Sequence, residues 1–169
     1  MFEFFYPDAY MDSTYEIDFD QLYEEGYRGI IFDIDNTLVE HGAPADQRSV
    51  DLLNRLKEKG FRMVLLSNNG RSRVEMFNEA VNMDYIPFAA KPFLKNYRKA
   101  MKIMGTAKEN TFFVGDQLFT DVWGAKRLGI RSILVKPIGA REDTQIVLKR
   151  KLENIVMKRY TKAETEKKS

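Results

Sequence analysis

Apolar positions recur along the chain in two alternating periods. Residues 29–32 form a short unbroken apolar run opened by Gly29, too short for a helix and bounded like a buried strand. Similar runs appear at 62–66, 111–114 and 130–135. Between them the spacing turns helical. Val50, Leu53 and Leu56 predict a helix over 46–59 ended by Gly60, and Val74, Phe77 and Val81 predict one over 71–82. Leu94, Tyr97, Met101 and Met104 predict a third over 93–104, stopped by Gly105. A fourth runs through Trp123, Ala125 and Leu128 to Gly129. A short helix is expected over 18–26, with Asp18 as N-cap and Gly26 as stop, and a brief extended piece at 87–90. A last helix is expected over 144–160. It carries Ile146, Val147, Leu152, Ile155 and Val156 as its apolar set, and Lys149, Arg150, Lys151, Lys158 and Arg159 on the other face.

Strands alternating with helices of this length imply βαβ units and an α/β fold, a mostly parallel central sheet layered between helices. One domain is expected over 1–160. It includes an aromatic N-terminal arm at 1–14 (Phe2, Phe4, Phe5, Tyr6 and Tyr10) packed over the core, and is followed by a frayed charged tail at 161–169. The polar residues that end the strands carry more information than the strands. Asp33 and Asp35 follow the first run, and Ser67 and Asn68 the second. Lys91 follows the extended piece, and Asp116 and Asp121 follow the third run. A parallel sheet brings all four ends to one edge, where ligands of open α/β sheets bind.

Composition narrows the chemistry. The 169 residues include no Cys, which excludes a disulfide framework and a thiolate nucleophile. The net charge of +2 gives no argument for nucleic-acid binding. No apolar stretch is long enough to span a bilayer, and Glu3, Asp8 and Asp12 in place of a basic opening argue against a signal peptide. The single histidine, His41, sits in a polar loop and reads as a surface residue rather than a catalyst.

Clustered carboxylates would repel one another and any anionic substrate. A hard divalent cation, Mg²⁺, resolves both repulsions, and a phosphate can then be held by metal, lysine and backbone N–H groups together. With no Ser–His–Asp set and no Walker loop, the nucleophile left is a carboxylate, which forms an aspartyl-phosphate.

The motifs Asp33-Ile34-Asp35-Asn36-Thr37, Ser67-Asn68-Asn69, Lys91-Pro92 and Gly115-Asp116 with Asp121 resemble the haloacid dehalogenase (HAD) superfamily in its phosphatase branch, in the family's order. The resemblance implies a Rossmann-like three-layer fold. Asp33 would be nucleophile and metal ligand. Asp35 would be general acid and base, and would bind the metal through its backbone carbonyl. Asp116 would be the second carboxylate ligand of Mg²⁺. Thr37 would support the loop and, with Ser67, Asn68 and Lys91, surround the phosphate. Lys91 would also neutralise charge at Asp33, and Asp121 would orient a metal water or Lys91 from behind. The absence of a domain-sized insertion resembles capless members, whose open sites accept bulky substrates.

Residues 15–18 and 29–39 are further similar to the subfamily IIIA phosphatases that include phosphatidylglycerophosphate phosphatases. That likeness implies a phosphorylated substrate, in this case a phospholipid at a membrane surface, and a cytoplasmic protein peripheral at the inner face. The aromatic arm and the basic last helix would suit such a surface. Two alternatives remain open: a capless phosphatase for a soluble phosphosugar, nucleotide or phosphoprotein, and a non-catalytic phosphate-binding module. A phosphoryl-receiving signalling domain fits poorly, because Lys91 precedes Gly115-Asp116 rather than following it. The sequence does not fix the oligomeric state.

Overall fold

A computed structural model describes residues 2–139 and 144–168 of the chain. Six parallel strands lie in the order β1-β6-β5-β2-β3-β4. They are β1 (Ala9–Met11), β2 (Gly29–Phe32), β3 (Arg62–Leu66), β4 (Asp84–Ile86), β5 (Thr111–Gly115) and β6 (Arg131–Val135). Helices cover both faces, as the alternation of runs requires. On one face α1 (Phe19–Glu24), α2 (Gln47–Lys59) and α3 (Arg71–Asn78) pack Leu22, Leu53, Leu56 and Phe77 against Ile30, Phe32 and Val114. On the other, α4 (Leu94–Met104) and α5 (Trp123–Leu128) set Tyr97, Met104 and Ala125 against Ile31, Val64 and Phe113. β2 is therefore buried on both sides, which is why its residues read as a continuous apolar run rather than an alternation.

Local signals fix the helix ends near the site. Asp46 caps α2 by accepting from the Ser49 N–H at 2.8 Å while Ser49 Oγ accepts from the Asp46 N–H at 3.0 Å. Gly60 leaves α2 at φ +114°, a conformation that favours glycine.

The boundaries differ from expectation in five places. The 71–82 helix stops at Asn78, because the Asn78 side chain turns to bond both the N–H and the carbonyl of Met83, at 2.8 and 2.9 Å. The extended piece at 87–90 is replaced by β4 at Asp84–Ile86. Pro87 has no N–H to continue a ladder, and Phe88 and Ala90 take positive φ, 48° and 52°. The arm contains a strand, β1, paired with β6 at the sheet edge and too short to have a period. The arm's Phe2, Phe5 and Tyr6 pack beside Leu118, Val122 and Val156. The last helix, α6 (Thr144–Lys168), runs through the stretch expected to fray. It is also rotated from its expected register. Val156 faces inward with Glu153 and Met157, whereas Leu152 and Ile155 are half-exposed. The side chains of Ile146 and Val147 lie outside the described residues.

Candidate active site

Two neighbouring central strands, β2 and β5, end side by side, with the Asp33 N–H donating to the Val114 carbonyl at 3.0 Å. After Asp33 the chain folds into a tight turn in which Asn36 takes φ 60° and its N–H reaches the Val39 carbonyl at 2.7 Å. Asn tolerates this left-handed geometry better than most residues. The Thr14 hydroxyl and the Tyr15 hydroxyl hold the turn from outside, donating to the carbonyls of Thr37 (2.7 Å) and Leu38 (2.6 Å).

Inside this frame the carboxylates of Asp33, Asp116 and Asp121 converge, one oxygen from each lying within 4.8 Å of the other two. All three are buried. Lys91 Nζ donates to Asp33 Oδ1 at 2.8 Å and to Asp121 Oδ1 at 2.7 Å. The Thr37 hydroxyl lies 3.3 Å from both Asp33 and Asp116, so it braces the two carboxylates against each other. Asp121 hangs from the π-helical turn Leu118–Val122 and accepts from the Gln117 N–H at 3.1 Å. Such turns are rare and concentrate at functional sites. Asp121 approaches so closely that a Cβ at Gly115 would overlap its carboxylate, which explains the glycine of the Gly115-Asp116 motif.

Electrostatics explain why a cation belongs here. Burial pushes the Asp33 carboxyl well above its ordinary range, with Lys91 opposing and Asp121 and Asp116 reinforcing. Asp116 is pushed up to about 6, first by burial and then by Asp121, against the pull of Arg150. Burial would lower the Lys91 ammonium, but Asp121 and Asp33 outweigh it and hold its pKa above the ordinary value. Three buried carboxylates thus face only Lys91 and the Arg150 guanidinium, an excess of negative charge on oxygen ligands that suits a small hard divalent cation.

Asp35, two residues on, faces different partners. Arg73 donates to its Oδ1 from Nε (3.1 Å) and Nη2 (2.9 Å), as does the Gly42 N–H (2.7 Å). Asn69 Nδ2 donates to its Oδ2 at 2.6 Å. His41 stands 3.7 Å away and half-exposed. Ser67 is buried and accepts from the Asn69 N–H at 3.1 Å. Asn68 gives its whole amide to Lys91: Oδ1 accepts from the Lys91 N–H at 2.7 Å and Nδ2 donates to its carbonyl at 3.3 Å.

Two partners escaped sequence reasoning. Arg73 sits in a helical stretch and carries no signal beyond its place one turn after Asn69. Arg150 reads in sequence as part of a solvated basic face. It instead turns inward, donating to the Asp116 carboxylate, to the Asp116 carbonyl at 2.5 Å and to Glu153 at 3.0 Å. Lys149 beside it reaches Gln117 at 2.7 Å. The Glu153 three residues on was the available hint.

A parallel α/β sheet with converging aspartates beyond its central strands defines a class of phosphate-handling hydrolases, and comparison with known proteins assigns the family. A haloacid dehalogenase-like hydrolase model matches residues 30–91 and a HAD-hydrolase-like model matches residues 88–157. YqeG of Bacillus subtilis, named as a probable phosphatase, is 35% identical over 156 residues, covering 92% of this chain and 91% of that protein. Phosphatidylglycerophosphate phosphatase 1 of Arabidopsis thaliana is 23% identical over 94% of this chain and 49% of its own length. Glyceraldehyde 3-phosphate phosphatase of Pyrococcus abyssi is 28% identical over 50% of this chain and 40% of its own. Among solved structures, an uncharacterized protein from Listeria monocytogenes covers 69% of this chain and 84% of its own, at 17% identity and a TM-score of 0.56. A HAD-superfamily hydrolase from Ehrlichia chaffeensis covers 77% and 96%, at 15% identity and a TM-score of 0.52. The chain belongs to the haloacid dehalogenase-like hydrolases and is a phosphatase of that family. Among the described residues, no helix is long and apolar enough to cross a membrane.

Proposed function

We propose that the protein hydrolyses phosphomonoesters through an aspartyl-phosphate on Asp33, with Mg²⁺ as cofactor, and that its substrate is phosphatidylglycerophosphate. The observation that carries the mechanism is the bond from Lys91 Nζ to Asp33 inside the three-aspartate cluster. It holds one carboxylate oxygen by a cation and leaves the other beside the Thr37 hydroxyl.

In the first step an Asp33 oxygen attacks phosphorus and the ester P–O bond breaks. The leaving oxygen takes a proton from the Asp35 carboxyl. In the second, Asp35 removes a proton from water, the resulting hydroxide attacks phosphorus, and the bond to Asp33 breaks to release phosphate. To serve in this way Asp35 exchanges one of its contacts, to Arg73, Gly42 or Asn69, for the substrate oxygen. Lys91 balances negative charge on Asp33 and the phosphoryl group, while Asp121 keeps the ammonium in place. Ser67 lines the phosphate position with the loop N–H groups, while the Asn68 amide, bonded to the Lys91 backbone, sets the place of that lysine. Asp33, Asp116 and the Asp35 carbonyl would hold Mg²⁺, which offsets the charge of both carboxylates and phosphoryl oxygens when bound.

The lipid assignment draws on the Arabidopsis relative and on the absence of any domain inserted over the strand edge among the described residues. It also makes the protein a peripheral one, working at the cytoplasmic face of a membrane. The test is phosphate release from phosphatidylglycerophosphate in mixed micelles, with Mg²⁺ or EDTA, by wild type and Asp33→Ala. Release that needs Mg²⁺ and vanishes in the variant is expected. Release only from soluble phosphomonoesters such as glyceraldehyde 3-phosphate would keep the mechanism and remove the lipid. No release from either would leave a phosphate-binding module.

A further inference from the structure

Among the described residues, the most exposed large apolar side chains are not on the N-terminal arm or α6. They are Phe88 and Phe93, 68% and 69% exposed, on either side of the buried catalytic Lys91. Both belong to the connection from β4 to α4, at the edge of the sheet where the site opens.

Phe88 is held in an unusual state. Its backbone takes φ 48°, rare for a bulky residue, and its N–H is fixed to the Asn69 carbonyl at 2.9 Å. The ring rests over Gly70, whose Cβ, if present, would lie 3.1 Å from it. Asn69, between Gly70 and the site, is the residue whose amide bonds Asp35. The aromatic lip therefore borders the side of the site that handles the leaving group. The Phe93 N–H bonds the Ala90 carbonyl at 2.9 Å, and Asn96 of α4 bonds the Ala89 carbonyl at 3.0 Å, so lip and helix form one braced unit.

Charge sorts the same way. Between Asp84 and Glu109 the sequence contains no acidic residue, while Lys95, Arg98, Lys99 and Lys102 line the exposed face of α4. None of the four forms an ion pair with a described residue, although ion pairs are common elsewhere on the surface. An exposed aromatic pair continuous with an unpaired cationic stripe has the chemistry of an interfacial anchor for anionic lipid. The surfaces that the sequence favoured are more occupied. Phe5 packs on Phe119 and Trp123 at 5.0 and 5.5 Å, and the inner cations of α6 are bonded at the site.

We propose that Phe88, Phe93 and the basic face of α4 dock the open edge of the site onto an anionic phospholipid surface. The rings enter the headgroup layer and the α4 cations meet its charge. This rests on the phospholipid reading above and names the surface that would bring such a substrate to Asp33.

The test is co-sedimentation of the full chain with phosphatidylcholine vesicles, with and without phosphatidylglycerol. Two double variants are compared with wild type. In Phe88→Asn/Phe93→Ser, Asn accepts the left-handed backbone and Ser is a favoured N-cap for α4, so folding is preserved or improved. Lys95→Glu/Lys99→Glu changes only exposed positions. Wild type is expected to pellet with the anionic vesicles alone, and less so at raised salt. Binding should fall roughly tenfold or more in the aromatic variant and about a hundredfold in the charge-reversed one. Both variants should turn over a soluble aryl phosphomonoester as wild type does.

Wild type that stays in the supernatant, or variants that pellet equally well, would overturn the proposal. So would an aromatic variant that loses soluble turnover while wild type ignores vesicles, since the lip would then seat a soluble apolar substrate. Vesicle binding is read without catalysis. A chain that binds anionic vesicles as described but releases no phosphate would refute the phosphatidylglycerophosphate reading and leave the docking surface standing.

Discussion

The site has two halves of opposite character, a buried pit and an open lip. The pit lies where β2 and β5 end and holds Asp33, Asp116, Asp121 and Lys91, each buried and each bonded to another member or to its loop. The lip lies a few residues away, where Phe88 on a left-handed backbone and Phe93 on an extended one present apolar surface to solvent. Every charge in the pit has a fixed partner, whereas the rings of the lip cover little. The difference teaches how labour is divided. Pit geometry is specified by a network that fails if one group moves, so it sets the reaction. The lip touches that network only through the Phe88 N–H bond to the Asn69 carbonyl, so under the proposed function its rings could select the substrate with little effect on the chemistry.

That division makes substitutions distinguishable. The largest effect belongs to the pit: Asp33→Ala should lower turnover of every phosphomonoester by on the order of 10⁴-fold or more, measured by phosphate release. A similar residual rate on soluble and lipid substrates would uphold the comparison, and a loss confined to lipid would break it. Asp35→Asn should cost about 10²–10⁴-fold, most with poor leaving groups, as loss of a general acid does. An effect independent of the leaving group would reassign Asp35. Gly115→Ala should destabilise the fold by about 1–3 kcal/mol in chemical denaturation, because the added methyl overlaps the Asp121 carboxylate.

Smaller still, the lip variant Phe88→Asn/Phe93→Ser should lose roughly tenfold on vesicle-borne substrate only. Equal losses on soluble substrate would merge lip and pit into one unit. Finally, Arg150→Gln removes a guanidinium from Asp116 and should shift the Mg²⁺ midpoint about fivefold downward in calorimetry, with no catalysis needed. An unchanged midpoint would mean that Arg150 and the metal use different faces of that carboxylate.

The pit was legible in sequence and much of its surround was not. Short apolar runs ending in polar residues locate β2, β3 and β5, because a strand buried on both faces has little freedom in composition. The parallel sheet then brings the ends together without further information. β1 was not legible: three residues at a sheet edge have no period, and their pairing with β6 is set by contacts made far along the chain. The rotation of α6 was hidden for a different reason. Its apolar residues, taken alone, favour a face containing Leu152 and Ile155. The bonds of Arg150 to Asp116 and of Lys149 to Gln117 select another. The lip is not legible because 87–90 looks extended, and only the backbone itself discloses that Phe88 and Ala90 are left-handed.

Asn68 has a wider consequence. Its carboxamide meets the backbone of Lys91 as one peptide unit meets another across a sheet, accepting with its oxygen and donating with its nitrogen. β4 ends at Ile86, yet this side chain supplies one more rung between β3 and the departing chain. The ammonium that balances Asp33 is thereby kept in register like a strand residue, though it sits on no strand. Asp in place of Asn68 has no donor for that rung, and Gln is a methylene too long to hold its spacing.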